Sequence, residues 1–194
     1  AAQMLSYEIP MGLAILVVVL TTGQVRLENI VECQMHSTWN VLLHPLAFII
    51  LLVTAFAETN RMPFDLAESE QELIGGYHTE YTSMKMGLFL LSEFIEIVVI
   101  SALVVTLFLG GFTVPFLTAG GFAFPGGVTW EIGALGVALL QVLMFSLKVF
   151  IVGCFQIQVR WTLPRFRYDQ LMDLGWKFLL PLAALNLVVT AVVR

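Results

Sequence analysis

Long apolar runs recur along this chain, and they leave it few folds to choose from. They occupy 2–24, 39–57, 86–109, 128–159 and 175–193. Inside hydrocarbon every backbone N–H and C=O must be bonded within the structure, so a spanning segment is a helix or a strand of a closed barrel. A helix needs about 17–25 residues to cross, and a barrel strand only about 9–11. The runs therefore predict an all-α, polytopic membrane helix bundle with five transmembrane helices, one membrane domain over 1–194. Hydrophobic residues make up 59% of the chain, well above the roughly 45–50% of soluble domains.

The spans carry their own punctuation. Pro10 lies near the start of the first, where a missing N–H costs least. The segment 25–38 is polar and reads as a short external connection, and His44-Pro45 marks a kink in the second span. Gly110-Gly111 ends the third, and the glycine- and proline-rich stretch 110–127 reads as turns. The run at 128–159 is overlong, so it is tilted, kinked or extended beyond the bilayer. The opening residues AAQMLSYEIP lack the basic region and cleavage pattern of a signal peptide, and read as a helix with further residues upstream.

Between the second and third spans lies a different kind of sequence. AETNRMPFDLAESEQELIGGYHTEY, 57–81, carries Glu58, Asp65, Glu68, Glu70, Glu72 and Glu80 against one base, Arg61. Such a charge run is ordinarily a solvated face, but Phe64, Leu66, Leu73, Ile74, Tyr77 and Tyr81 interrupt it and require a packing surface. Arg61 stands four residues before Asp65, a spacing that allows a pair within one turn. A second polar loop, 160–173, is mostly basic, with Arg160, Arg165 and Arg167 beside Asp169. Five spans put both loops on one side, together with Lys85 and Lys177, whereas the other side has Arg26 and Arg194. The positive-inside rule counts cations and places the 58–85 and 160–173 loops in the cytoplasm, or in the matrix of an organelle. Acidic and basic loops on one face form a docking platform. There is no basic block for nucleic acid.

Charges also stand where lipid is expected. Glu93 and Glu96 on the third span cost about 5–7 kcal/mol to insert, and its apolar residues return about 5–10 kcal/mol. The two glutamates share a helix face, which must point into a bundle or a wet cavity. Low-dielectric surroundings favour the protonated carboxyl, so such groups can hold and pass protons. Lys148 lies about 18 Å in from Arg160, and Glu96 about 16 Å in from Lys85, so Lys148 is expected to face Glu96 or Glu93. Glu8 and Glu58 add two further acids, and the set reads as a proton relay. Cys33 and Cys154 match no redox or metal spacing, His36, His44 and His78 are more simply satisfied singly, and no metal site is expected.

At these residues the chain resembles a family. AETNRMPFDLAESEQELIGGYHTEY and PRFRYDQLMDLGWK, about eighty residues apart in sequence, and AAQMLSYEIPMGLA at the start are similar to stretches of the quinone-site membrane subunit of respiratory complex I, the NADH:quinone oxidoreductase. The resemblance implies an eight-helix protein of which this chain holds the last five. It implies a translocase component in the bacterial cytoplasmic or mitochondrial inner membrane. That component forms the membrane end of a quinone cavity and couples quinone reduction to proton translocation. Quinone (ubiquinone in some members) would be the substrate. No cofactor is expected in this chain, with flavin and iron–sulfur clusters confined to partner subunits. Partners would be the hydrophilic quinone-site subunits, the iron–sulfur subunit, and the small and antiporter-like membrane subunits. Carried over by motif, Glu8, Glu58 and Glu93 match buried channel carboxylates, with Glu96 less closely matched. Arg61, Asp65, Glu68, Glu70, Glu72, Glu80 and Tyr81 match the charged loop at the cavity. Lys148 matches a membrane lysine, and Arg160, Arg165, Arg167 and Asp169 the second loop. The alternatives are the homologous membrane subunit of energy-converting hydrogenases and a stand-alone ion transporter, which would show internal repeats absent from these spans.

Overall fold

The structure is a computed structural model and describes residues 2–59, 61–65, 74–81, 83–114, 117–118, 121–123, 129–131 and 133–193. Helix α1 (Ala2–Thr22) contains Pro10. Pro10 has no N–H to give the Ser6 carbonyl, and that carbonyl faces Gly175, where an added Cβ would come within 3.3 Å. Gly23, at φ 72°, turns the chain out of α1. The segment expected to be a bare connection instead forms α2 (Leu27–His36), which buries Ile30, Val31 and Gln34. Those three share one helical face, so the short polar stretch is amphipathic.

The second expected span is broken. A single turn, α3 (Asn40–Leu43), is followed by His44 at φ −131°, ψ 63° and then by α4 (Pro45–Glu58). Pro45 drives the residue before it out of the helical region and then starts α4 at a position where its missing N–H is harmless. The fourteen residues of α4 reach about 21 Å, short of a hydrocarbon core of about 30 Å. Among the described residues four helices are long and apolar enough to cross a bilayer, at Met4–Thr22, Met84–Phe108, Ala134–Thr162 and Tyr168–Val193. The chain is a polytopic helical membrane protein with these four helices and one shorter apolar helix, Pro45–Glu58.

A 3-10 turn (Tyr77–Glu80) leads to α5 (Met84–Phe108). Gly110 at φ 72° and Gly111 at φ 52° close α5, and the Gly111 N–H reaches back to the Val105 carbonyl at 2.9 Å. This is the glycine-dependent stop in which a left-handed residue lets the chain double back onto its last carbonyls. The glycine-rich stretch beyond it is more ordered than turns alone. Strands β1 (Leu117–Thr118), β2 (Gly121–Ala123) and β3 (Thr129–Glu131) pair antiparallel in that order. Helix α6 (Ala134–Thr162) therefore starts later than the apolar run. The last rod is α7 (Tyr168–Asp173), a π-helical turn (Leu174–Leu179) and α8 (Leu180–Val193).

Helix α1 packs between α4 and α8, while α5 and α6 form an antiparallel hairpin in which α5 meets α4 and α2. Val17, Val18, Ala47, Leu51, Val104 and Phe108 are sealed in the common core. The outer faces of α5 and α6 expose Leu91, Val99, Leu143 and Ile151, as helices bathed in lipid do. The C-terminus of α4 meets the loop at 61–65, the first half of α5 and the start of the last rod at one end. At the other end lie α2, α3 and the C-terminus of α5.

Candidate functional site

At the first end the two polar loops are stitched together. Phe64 is buried, its ring 5.7 Å from Tyr7 and 5.6 Å from Phe166, which it stacks at 17°. The Phe166 N–H donates to the Pro63 carbonyl at 3.0 Å, and Arg165 Nη2 lies 3.5 Å from Asp65 Oδ2. Tyr7, wholly buried on α1, donates its hydroxyl to the Leu171 carbonyl at 2.9 Å. Neighbours of the acidic stretch, of the basic loop and of Glu8 thus form one packed cluster.

Arg61 does not pair with Asp65 as its spacing predicts. The Phe64 N–H bonds the Arg61 carbonyl at 2.8 Å, a tight turn and not a helix, so the two side chains diverge. Arg61 Nη2 instead lies 3.7 Å from Glu93 Oε2. Its guanidinium also sits 5.4 Å from the Phe94 ring centre, a cation–π geometry. Glu96, one turn beyond Glu93 on α5, is within electrostatic reach of Glu58 and Arg61, and Glu58 in turn is within reach of Glu8. Glu58, Glu93 and Glu96 are half-buried, and Glu8 is exposed in the isolated chain. Four carboxylates from three helices therefore form a line of neighbours that starts at one arginine: Glu93 and Glu96 lie near Arg61, Glu58 near Glu96, and Glu8 near Glu58.

The remaining expected residues divide. Arg160 is half-buried and lines a small cavity with Arg61, Phe56, Thr59 and Gln156. Tyr81 packs its ring on Phe89 at 4.6 Å, and Glu80 is exposed. Arg167 precedes α7, its N–H bonded to Gln170 Oε1 at 3.3 Å, and Asp169 is exposed in the first turn. Glu68, Glu70 and Glu72 lie outside the described residues. Among the described residues no three metal-ligating side chains converge.

Between α5 and α6 runs an apolar groove of about 560 Å³, lined by Phe94, Ile97, Val98, Phe145, Val149 and Phe150, with Ser101 and Gly153. Ile97 and Ile157 line both this groove and the cavity beneath Arg61 and Arg160. The apolar groove and the small cavity that holds Arg61 and Arg160 are thus neighbours across a shared wall.

Lys148 is not in this group, and the expectation that it faces Glu96 or Glu93 is overturned. Its Nζ donates to the carbonyls of Leu109, Gly111 and Thr113 at 2.8, 3.1 and 2.8 Å. Depths measured from Lys85 and from Arg160 compare only if those two residues lie level. Gln156 Nε2 bonds Ser101 Oγ at 3.3 Å, and that register sets Lys148 beside the far end of α5. Two buried polar residues there belong to no motif in the sequence. Gln34 Nε2 donates to the Thr106 and Leu107 carbonyls at 3.1 and 3.3 Å, its Oε1 accepts from Gly110 N–H at 3.0 Å, and Asn40 Nδ2 donates to the Leu107 carbonyl at 2.8 Å. The pattern Ile30, Val31, Gln34 at helical spacing is the one available signal for Gln34.

A family model described as NADH dehydrogenase matches residues 1–191. The chain is 48% identical over 196 residues to the H subunit of the NADH-quinone oxidoreductase of Flavobacterium psychrophilum, covering 99% of this chain and 54% of that protein. It is 48% identical over 195 residues to NADH-quinone oxidoreductase subunit 8 of Rhodothermus marinus, covering 98% and 56%. With the H subunit of the Protochlamydia amoebophila enzyme it shares 50% over 190 residues, covering 98% and 51%. The chain spans about half the length of the curated relatives it matches. Extended apolar helices, a charged loop knotted to a second loop and a match over nearly every residue lead to one conclusion: the chain belongs to the NADH dehydrogenase family.

Proposed function

We propose that this chain is part of the membrane subunit of a proton-translocating NADH:quinone oxidoreductase, and that it passes the effect of quinone reduction to carboxylates within the bilayer. The observation that carries this reading is the run of charges that begins at Arg61, which pairs with Glu93 and lies within range of Glu96, and continues through Glu58 to Glu8, where the acidic loop enters the helices. Quinone reduction takes up two electrons and two protons. A change of charge near Arg61 alters the balance between its contact with Glu93 and its field on Glu96. Coupled carboxylates then redistribute their protons as one set. The apolar groove between α5 and α6 suits an isoprenoid tail, and the cavity lined by Arg61 and Arg160 adjoins it at Ile97 and Ile157. Asp65, held by Arg165, fixes the mouth of the loop, and Glu68, Glu70, Glu72, Glu80 and Tyr81 belong by sequence to the same charged loop. Arg167 and Asp169 belong to the docking face for hydrophilic subunits that bring flavin and iron–sulfur centres.

In this reading α3 and α4 together make one broken pass. The chain then crosses five times, as the last five of eight helices, with both polar loops in the cytoplasm or matrix. Small and antiporter-like subunits lie alongside in the membrane. The relatives' shared name supports quinone as substrate over the hydrogenase alternative. The test is the assembled complex in liposomes carrying Glu93→Gln. Proton translocation per NADH is expected to fall while NADH oxidation by a water-soluble acceptor persists. An unchanged proton-to-electron ratio removes Glu93 from the relay.

A further inference from the structure

The α5–α6 hairpin carries a fully bonded cation at the end away from the carboxylates. Lys148 has three N–H donors, and three carbonyls, from Leu109, Gly111 and Thr113, take them at 2.8–3.1 Å. The Trp39 ring closes a further side, 4.9 Å from Nζ. The carbonyls converge because Gly110 and Gly111 hold φ of 72° and 52°, bending the chain so that alternate oxygens point inward. An added Cβ at Gly110 would come within 3.0 Å of Trp39 Nε1, so a side chain there would displace the ring. The helix C-terminus is also the negative end of the α5 macrodipole.

A proton carrier needs an acceptor that can keep the proton and freedom to move between two partners. Amide oxygens bond a proton without taking it, and among the described residues Lys148 has no carboxylate partner. Ser101 opposite Gln156 and Leu109 opposite Lys148 are spaced alike along the two helices. That register leaves Glu96 about 20 Å from the Lys148 level along α5. We propose that Lys148 is a positioning residue: its three N–H donors clasp the end of α5 and fix α6 against it, and it is not a member of the proton relay. With Gln34 and Asn40 on the same stretch of carbonyls, it makes one end of α5 immobile, so that any tilt of α5 is felt at Arg61 and Glu93.

Only the pumping readout rests on the relay reading. Arginine cannot give up a proton in a protein but can donate to several carbonyls. In the assembled full-length complex, Lys148→Arg is expected to keep the wild-type proton-to-electron ratio. Lys148→Met, with no donors, is expected to lower the thermal midpoint by several degrees, and Arg to restore most of it. A Lys148→Arg complex that is assembled and oxidises NADH but pumps less than half the normal ratio overturns the proposal. Glu93→Gln in the same preparation separates the two ideas. If it too pumps normally, the carboxylate relay fails, while the midpoint order of wild type, Arg and Met still judges Lys148. Should the Arg variant not accumulate, amine labelling of the wild type during turnover decides. A clasped Lys148 stays unlabelled, and labelling that rises with turnover refutes the clasp.

Discussion

At the loop end of α5, Arg61 reaches Glu93 across 3.7 Å, both side chains keep some exposure, and two more acids stand within range. At the far end, Gln34 and Asn40 are sealed from solvent and bond carbonyls of the last turns of α5 directly. One helix thus ends in two kinds of polarity. The far end is closely matched: Gln34, Asn40 and Lys148 each bond carbonyls in or just beyond the last turns of α5, Thr113 Oγ1 is the one buried side-chain atom there without a partner among the described residues, and a rearrangement would leave further buried groups unpaired. The loop end is more loosely matched: Arg61 has Glu93 at 3.7 Å and Glu96 also in range, with Arg160 lining the same cavity, so protons and contacts can exchange at little cost. Polarity used to hold a structure and polarity used to change it are told apart by this count, and burial alone does not separate them.

The sharpest way to break the contrast is Gln34→Leu. It removes donors and an acceptor from the sealed end at once, and should cost about 3 kcal/mol or more, read as a lower unfolding midpoint with the remaining complex still pumping normally. Next, Arg61→Gln should reduce proton translocation about tenfold, a loss of about 1.4 kcal/mol in driving balance. Its cost in stability should be smaller than that of Gln34→Leu, because the pair is long at 3.7 Å and Glu93 keeps some contact with solvent. If instead Arg61→Gln unfolds the protein and Gln34→Leu stops pumping, the roles of the two ends are reversed. Tyr7→Phe should cost about 1 kcal/mol in a denaturation series, since the Leu171 carbonyl it abandons also accepts from Leu174 N–H. The smallest effect is the coupling between Asp65 and Arg165. A double-mutant cycle should return about 0.5–1 kcal/mol that shrinks with added salt.

The long helices are legible in the sequence because hydrocarbon permits so few backbone solutions, and four of the five apolar runs form helices of spanning length. The remaining run shows the limit of counting apolar residues: His44-Pro45 lies within it, and backbone geometry divides it there. The acidic stretch points to the site, but partners do not follow from spacing. Arg61 and Asp65 are four apart, and that separation means contact only on a helix; the turn at 61–64 sends them to different neighbours. Lys148 is misplaced by sequence for a related reason. Depth is measured along one helix, whereas its partners depend on how two helices slide past each other. Gln34 is easily overlooked because a short polar segment hides an inward face of only a few residues.

The π-helical turn at Leu174–Leu179 has a consequence for how the last rod can be altered. Its backbone bonds span five residues, as Leu180 N–H to the Gly175 carbonyl shows, so the turn holds one residue more than a regular helix would. That surplus rotates everything downstream by about 100° around the rod's axis. Gly175 and Trp176 meet Ser6 on α1, Trp176 Nε1 at 2.8 Å from Ser6 Oγ, while Leu179 and Ala183 remain buried below. Removing a single amino acid from this turn would let an ordinary α-helix form and swing one half of the rod out of phase with the other. The loop cluster and the membrane bundle would then no longer fit α1 at the same time.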